Sequence, residues 1–245
     1  MIARPDSGSP QGGVISPLLS NVYLHIVLDV WFEREVKPCM QGRSFLVRYA
    51  DDFVLAFEHE ADARKVMAVL PKRFGKYGLT LHPTKTQLLR FGQPPYGWRP
   101  GRTDQRRYIG FEPPSTFDFL GFTHLWGRTR SGGWALMRKT AKDRFRRTVR
   151  SLNLWLRRHR HLPVVDQHRV LCWKLRGHYQ YFGLTGNYRR LAALERTTRR
   201  LWQKWLNRRS REHDMPWSRF LLLLARFPLP AAVVVHSVFR RAANP

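Results

Sequence analysis

Residues 45–57, FLVRYADDFVLAF, place two adjacent aspartates between two apolar runs. The apolar and aromatic residues on both sides predict two β-strands, 45–50 and 53–57, joined by a tight turn at Asp51-Asp52. An Asp pair at a hairpin turn is often only a turn, because Asp tolerates turn geometry and is well solvated. Here the flanks are apolar, so the turn is expected to emerge from a buried sheet. Two carboxylates in that position form an oxygen-rich site suited to Mg²⁺.

The remainder of the N-terminal half predicts an α+β unit. Ser16 and Pro17 are suited to begin a helix, and its buried face is predicted from helical spacing to contain Leu19, Val22, Tyr23, Ile26 and Val30. A second helix is predicted over 60–77, ended by Gly78. A strand–turn–strand unit is predicted at 79–91 and a short strand at 117–122.

The C-terminal half predicts helices throughout. Helical patterns cover 142–160, 164–182, 188–209 and 217–226, separated by short polar or Pro-containing segments. We therefore predict an α+β unit over 1–130 and an all-helical unit over 131–245.

The charge is strongly positive and unevenly distributed. The chain has a formal net charge of +27. Residues 1–125 carry 16 Lys+Arg and 12 Asp+Glu, a net of +4, whereas residues 126–245 carry 28 and 5, a net of +23. Nucleic acid is the commonest partner of so basic a surface. An anionic membrane surface is the competing partner, but the basic residues recur along several helices and form no single juxtamembrane cluster.

Cysteine usage and hydropathy indicate a cytoplasmic protein. Cys39 and Cys172 are the only cysteines and have no metal-ligand spacing, which fits a reducing compartment. The N-terminus has no apolar signal segment. The most apolar stretch, 220–235, is interrupted by Arg226, Pro228 and Pro230, and is too short to cross a bilayer. We expect no membrane partner.

The sequence blocks, in their order, resemble group II intron reverse transcriptase/maturases. YADD between apolar strands resembles the catalytic hairpin of reverse transcriptases. It is preceded by PQGGVISPLLSNVYL and followed by GLTLHPTKT and FDFLGF, each similar to a family block. KLRGHYQYFGLTGNYRRL and LWQKWLNRRSR are similar to the maturase-specific thumb (X) region. The resemblance implies a partial reverse-transcriptase palm, an antiparallel sheet with packed helices over 1–130, followed by a helical thumb/maturase domain over 131–245.

The resemblance also implies roles for individual residues. Asp51 matches the metal-binding aspartate and Asp52 its partner; successive strand residues face opposite ways, so Asp51 is the stronger candidate. Residues implied near template and nucleotide are Gln11, Gly12, Gly13, Tyr49, Ala50 and Lys85. Those implied to position the primer are Phe119, Leu120 and Gly121. Those implied to contact intron RNA are Arg176, His178, Tyr179, Arg189 and Arg190.

Each of these assignments has a plainer structural alternative. Gln11, Gly12 and Gly13 could form an ordinary turn before a helix, and Lys85 could be a solvated turn lysine. The residues of FDFLGF could serve core packing alone, and His178 could be a hydrogen-bonded core histidine. The aromatic residues of the helical half fit a core at least as well as a base-stacking surface.

The implied activity is RNA-templated DNA synthesis with Mg²⁺ and dNTPs on an RNA template and DNA primer, coupled to intron splicing. Family members carry a fingers region and a strand with a further catalytic aspartate ahead of the QGG block. Asp6, among prolines and glycines, is a poor substitute for that aspartate. We therefore expect little polymerase activity from this chain alone, and a separate fingers-containing chain is a candidate partner.

Two other functions remain open at this stage. One is a non-catalytic RNA-binding protein that only stabilises folded RNA. The other is a sequence-specific DNA-binding protein, for which no helix-turn-helix, zinc-finger or bZIP pattern is present.

Overall fold

The structure is a computed structural model that describes residues 15–98, 111–129, 131–209 and 214–237. These residues fall into two compact units, one up to Arg90 and one from Phe91. Each contains helices and an antiparallel sheet, so the predicted α+β class is confirmed. The predicted boundary between 1–130 and 131–245 lies later in the chain and stays a prediction.

The first unit begins with a long helical segment. Helix α1 spans Ser16–Leu24, with Pro17 in its first turn, where the missing N–H would have no partner in any case. The segment continues through two π-helical stretches, His25–Val30 and Phe32–Val36, and ends in a 3₁₀ turn, Lys37–Cys39. It is followed by strands β1 (Ser44–Tyr49) and β2 (Asp52–Phe57) and by helix α2 (Glu60–Lys76).

The predicted buried face of the first helix is wrong. Leu19, Val22 and Ile26 are more than half exposed, while the core of the unit contains Leu24, Leu28, Trp31, Phe32 and Val36 together with Val66, Leu70 and Phe74 of α2. Two causes explain the error. Leu24, Leu28, Trp31, Phe32 and Val36 also follow three- and four-residue spacing, so helical spacing alone fits two apolar faces of this segment. The bulky Trp31 and Phe32 also have more apolar surface to bury than the residues of the predicted face.

The predicted hairpin at 45–57 is confirmed, with its turn one residue earlier than expected. It does not belong to a buried sheet as predicted, because Phe45, Val47 and Tyr49 of β1 are more than half exposed. β1 and β2 pair antiparallel from Ser44↔Phe57 to Tyr49↔Asp52. The two-residue turn is therefore Ala50-Asp51, and Asp52 belongs to the second strand. Ala50 has a φ of 54°, a left-handed conformation that closes the turn immediately after Tyr49.

The predicted strand–turn–strand unit at 79–91 is wrong. Residues 83–85 form a turn, but none of the described strands pairs with the segments on either side. Leu79 and Leu81 pack against the core of the first unit, whereas Leu88 and Leu89 are exposed. Alternating hydrophobicity was insufficient here, because a strand also needs a neighbour that accepts its backbone hydrogen bonds.

The sheet of the second unit is larger than predicted, and its last strand lies within 131–245, so that range is not all-helical as predicted. Its antiparallel order is β3 (Phe117–Phe119), β4 (Phe122–Arg128) and β5 (Trp134–Thr140). FDFLGF is therefore a hairpin that turns at Leu120-Gly121, not the single strand predicted. Residues 92–98 and 111–114 form no helix or strand.

The four predicted C-terminal helices are confirmed within a few residues: α3 (Lys142–Arg158), α4 (Val164–Phe182), α5 (Tyr188–Leu206) and α6 (Trp217–Arg226). Their shared core is built around the fully buried residues Leu156, Leu171, Leu194, Trp202 and Phe220. Among the described residues, no helix is both long enough and apolar enough to cross a membrane.

Gly183 ends α4 at a point where backbone segments lie very close together. Its carbonyl oxygen accepts hydrogen bonds from the N–H groups of Val235 and His236, both at 2.8 Å. A methyl group on Gly183 would collide with the carbonyl oxygen of Tyr179 and stand 3.0 Å from the Val235 nitrogen.

We expect Gly183→Ala to lower the free energy of unfolding by about 1–2 kcal/mol, because backbone must move to admit the methyl group. Chemical denaturation of the variant and of Gly177→Ala, which meets no atom within 4 Å in its helix, would measure this. Equal stability of Gly183→Ala and the wild type would contradict it.

Candidate active site

The aspartate pair lies at the exposed tip of the β1–β2 hairpin. Asp51 is the second turn residue, and Asp52 opens β2 opposite Tyr49. Both aspartates are exposed, and neither side chain makes a hydrogen bond or ion pair with another described residue. Their carboxylate oxygens are therefore open to a ligand from solvent.

The turn that carries Asp51 has an unusual backbone. Ala50, with its φ of 54°, lacks the conformational freedom of glycine, which is the usual residue in this region. Such a conformation persists only where the surrounding structure holds it, and it occurs frequently at functional sites. The contact that holds this turn comes from Arg48.

Arg48 links the turn to the first helical segment. Its Nε and Nη2 donate to Oδ1 and Oδ2 of Asp29, each at 2.7 Å, in a two-pronged ion pair. Its Nη1 donates to the Ala50 carbonyl oxygen at 2.9 Å and to Oδ1 of Asn21 at 3.0 Å. The Arg48 side chain is only 13% exposed. One guanidinium therefore fixes the turn beside the aspartate pair to two positions of the helix.

Asp29 is held in its ionised form. The hydrogen bonds from Arg48 lower the pKa of the Asp29 carboxyl, with a further contribution from His25 at 3.1 Å, against an opposing effect of burial. The same ion pair raises the pKa of Arg48. Sequence reasoning missed Asn21, Asp29 and Arg48. The available signal was an arginine in the middle of an otherwise apolar strand, which requires a partner.

The donor chemistry at the tip fits a hard divalent cation in part. Two carboxylates supply the oxygen ligands that Mg²⁺ prefers. Over residues 15–98, 111–129, 131–209 and 214–237, no cluster of three or more His, Cys, Asp or Glu side chains could hold a metal ion.

The other predicted template and nucleotide residues are placed as follows. Tyr49 is 67% exposed beside the turn. Lys85 is exposed in the turn at 83–85 and makes no ion pair with Asp51 or Asp52. Gln11, Gly12 and Gly13 lie outside the described residues.

The predicted primer-positioning residues form the tip of the β3–β4 hairpin. Phe119 pairs with Phe122, and the turn residues Leu120 and Gly121 have φ values of 51° and 77°. Positive φ at both turn positions is the conformation that matches the twist of a two-residue hairpin. The Tyr181 hydroxyl donates to the Leu120 carbonyl oxygen at 3.0 Å, so α4 holds this tip in place.

The five predicted RNA-contacting residues divide into exposed and packed side chains. Arg176 and Arg189 are exposed, while Arg190 lies over the ring of Phe145 at 5.5 Å. Tyr179 is 2% exposed and His178 8%. Burial lowers the pKa of His178 to about 4, so it is neutral near pH 7 and offers no charge to a phosphate. These positions favour a core location for His178 and Tyr179, but the buried Nε2 of His178 makes no hydrogen bond with a described residue, so the hydrogen-bonded form of that alternative is not observed.

Comparison with known proteins gives one informative result. A search of curated proteins finds no match to the chain. The family described as reverse transcriptase (RNA-dependent DNA polymerase) matches residues 4–124, a range that includes the YADD hairpin, Lys85 and the tip at Leu120-Gly121. By this match, residues 4–124 are similar to the reverse transcriptases, which supports RNA-dependent DNA polymerase activity in general.

Proposed function

We propose that this protein is a group II intron-type reverse transcriptase/maturase that binds intron RNA and contributes Asp51 and Asp52 to RNA-templated DNA synthesis. The observation that carries the proposal is the hairpin itself. Two exposed carboxylates that have no partner among the described residues stand on a strained turn fixed by Arg48, inside the segment that matches reverse transcriptases.

Mg²⁺ is the proposed cofactor, held in part by Asp51 and Asp52. When bound, it would neutralise charge on the reacting phosphates and lower the pKa of the attacking hydroxyl. Arg48 keeps the carboxylates in position by donating a hydrogen bond to the Ala50 carbonyl oxygen. The Asp29 carboxylate largely balances the positive charge of Arg48. Asp51 and Asp52 are therefore the charged groups of the hairpin tip that stay available to a metal ion.

The roles of the remaining predicted site residues are proposed from the family resemblance. Lys85 is proposed to lie near the nucleotide triphosphate, and Gln11, Gly12 and Gly13 to lie against the template and the incoming nucleotide. The tip formed by Phe119, Leu120 and Gly121 is proposed to position the primer strand. Two-metal catalysis needs carboxylates from more than one strand. We therefore propose that a second chain, which contains the fingers region, supplies a further carboxylate to the site.

The second unit is proposed to bind the intron RNA. Residues 126–245 carry a net charge of +23, and Arg176 and Arg189 are exposed. Arginine suits this task because its planar guanidinium can donate two hydrogen bonds to one phosphate.

A non-catalytic RNA-binding function is the second candidate. The observation that favours it is the small metal-ligand set at the hairpin, together with the concentration of positive charge in the other unit. Both candidates require RNA binding, and primer extension separates them.

We expect folded group II intron RNA to displace a labelled intron RNA from the full chain more effectively than duplex DNA of equal length at moderate salt. RNA offers loops, unstacked bases and 2′-hydroxyls that duplex DNA lacks. Competition binding measures the difference, with an RNA of the same composition and scrambled sequence as the matched control. Equal displacement by all three competitors would contradict the maturase assignment.

A further inference from the structure

We propose that a basic groove at the C-terminal ends of α3 and α5 binds successive phosphates of an RNA strand. The inference rests on the RNA binding proposed above and assigns it to a surface outside the residues implied by the family resemblance. The groove consists of two concavities, about 590 and 440 Å³ in volume, which share Arg157 and Arg160. Its lining is completed by Asn153, Leu154, Arg158, His161, Lys204, Trp205 and Arg208.

The positive charge of the groove exceeds what the helix ends require. Cations are common in the last turn of a helix, where they offset the partial negative charge of the exposed carbonyls. Two helix C-termini together provide roughly one negative charge. The lining carries five Lys and Arg side chains and no acidic residue. None of the five forms an ion pair with a described acidic side chain. A surplus of positive charge is left for an external anion.

Trp205 organises one wall of the groove. Its indole Nε1 donates to Oδ1 of Asn153 at 2.9 Å, which joins α5 to α3. The Lys204 ammonium and the Arg208 guanidinium each lie 5.3 Å from the centre of the Trp205 ring. The ring is only 8% exposed, so it does not serve as a base-stacking surface. Instead it holds two cations in place, which reduces the side-chain entropy lost when a phosphate binds.

The opposite wall is fixed through the backbone of the α3–α4 connection. The side-chain amide of Gln167 donates to the carbonyl oxygens of His159, Arg160 and Leu162. Arg209 donates to two of the same carbonyls. These contacts neutralise the carbonyl oxygens that would otherwise repel an anion.

Arg160 supplies a donor that has no acceptor. Its Nε is shielded from solvent and makes no hydrogen bond, while its Nη1 reaches only the Arg157 carbonyl at 3.3 Å. A shielded donor without a partner is unfavourable, and rotation of the Arg160 side chain toward a phosphate in the groove would satisfy it. Because the two concavities are continuous through Arg157 and Arg160, the groove fits a linear polyanion better than a single small anion.

The test is the binding of a fluorescein-labelled RNA stem-loop to the full chain, followed by anisotropy over a series of KCl concentrations. We expect the triple variant Arg160→Ala/Lys204→Ala/Arg208→Ala to bind about tenfold more weakly or worse. The slope of log K against log salt should become shallower by about 2, since each lost phosphate contact accounts for about 0.7–0.9. The charge-matched control Arg146→Ala/Arg219→Ala/Arg226→Ala should stay within about threefold of the wild type.

A second variant separates lost contacts from altered folding. Arg160→Lys/Arg208→Lys keeps both charges and should retain the wild-type salt slope, with a smaller loss of affinity from the missing second hydrogen bond. Equal losses in the groove and control triples, or no loss in either, would overturn the groove and leave the proposed function intact. Failure of the wild type to bind RNA would overturn both. Tighter binding to phosphatidylserine vesicles than to RNA, lost in the groove triple, would show that the groove serves a membrane surface.

Discussion

In the presence of a fingers fragment from a related protein, Asp51→Asn is expected to reduce Mg²⁺-dependent primer extension on an RNA template by about 10³-fold or more, while leaving the fold intact. Asparagine keeps the shape of the side chain but lacks the negative charge that balances a metal ion during phosphoryl transfer. The exposed Asp51 carboxylate has no partner in the part of the chain that the structure describes, so the substitution breaks no contact there. Asp166→Asn removes a half-exposed carboxylate on α4 that lies 3.6 Å from Arg169, and it is the control, with activity expected to be unchanged.

The same variant has a readout that does not depend on polymerisation. Mn²⁺ can replace Mg²⁺ at oxygen sites, and its electron paramagnetic resonance signal reports the bound fraction. We expect Asp51→Asn and Asp52→Asn each to weaken Mn²⁺ binding, and the pair together to remove it, because each variant removes one of two oxygen-donor groups. Mn²⁺ binding that persists in the double variant would place the metal elsewhere in the chain.

Arg48→Ala is expected to lower the free energy of unfolding by about 2–3 kcal/mol. The substitution leaves the Asp29 carboxylate, whose side chain is 25% exposed, without its main partner, and removes the donor that holds the Ala50 carbonyl. Chemical denaturation measures the change. Arg43→Ala is the control, because Arg43 lies in the same unit, is 80% exposed and pairs with an exposed glutamate; surface pairs of this kind contribute little.

Arg48 also has a positioning role that stability alone would not reveal. Arg48→Lys keeps the charge but cannot form the two-pronged contact with Asp29 and reach Ala50 at the same time. We expect it to recover most of the stability and to retain weakened Mn²⁺ binding at the turn. Full recovery of metal binding by Arg48→Lys would show that only the charge of Arg48 matters.

The Asp29–Arg48 pair also predicts a dependence of stability on pH. Because the pKa of Asp29 is lower in the folded chain than the ordinary value of 3.8, the unfolded state takes up a proton first as the pH falls. The contribution of the pair is therefore complete well above pH 4 and is lost as the pH falls through the lowered pKa of the folded state. In Arg48→Ala, stability should fall less between pH 5 and pH 3 than in the wild type.

The sequence predicted those parts of the fold in which the pattern is local. The C-terminal helices were found because their apolar residues repeat at helical spacing over long segments, and the YADD hairpin because two strands flank a turn. The buried face of the first helix was missed because apolar residues follow helical spacing on two of its faces, and spacing does not show which face meets α2. β5 was missed because WALMRKT becomes a strand only through pairing with β4.

The candidate site was likewise predictable from the sequence only where the pattern is local. Asp51 and Asp52 were identifiable from residue type and flanking apolar strands. The link from Arg48 to Asp29 was not, because it joins residues 19 positions apart through a helix whose register the pattern misplaced. The burial of His178 and Tyr179 likewise depends on which face of α4 meets its neighbours, and the basic groove exists only because two helix ends adjoin.

Primer extension on an RNA template tests the central claim most directly. The reaction contains the full chain, a labelled DNA primer, dNTPs and Mg²⁺, with and without a separately expressed fingers fragment from a related protein. We predict extension when the fragment is present, little extension by the chain alone, and none when Asp51→Asn replaces the wild type in either mixture. Extension that survives Asp51→Asn, or no extension by the wild type in either mixture, would contradict the assignment of this hairpin to RNA-templated DNA synthesis.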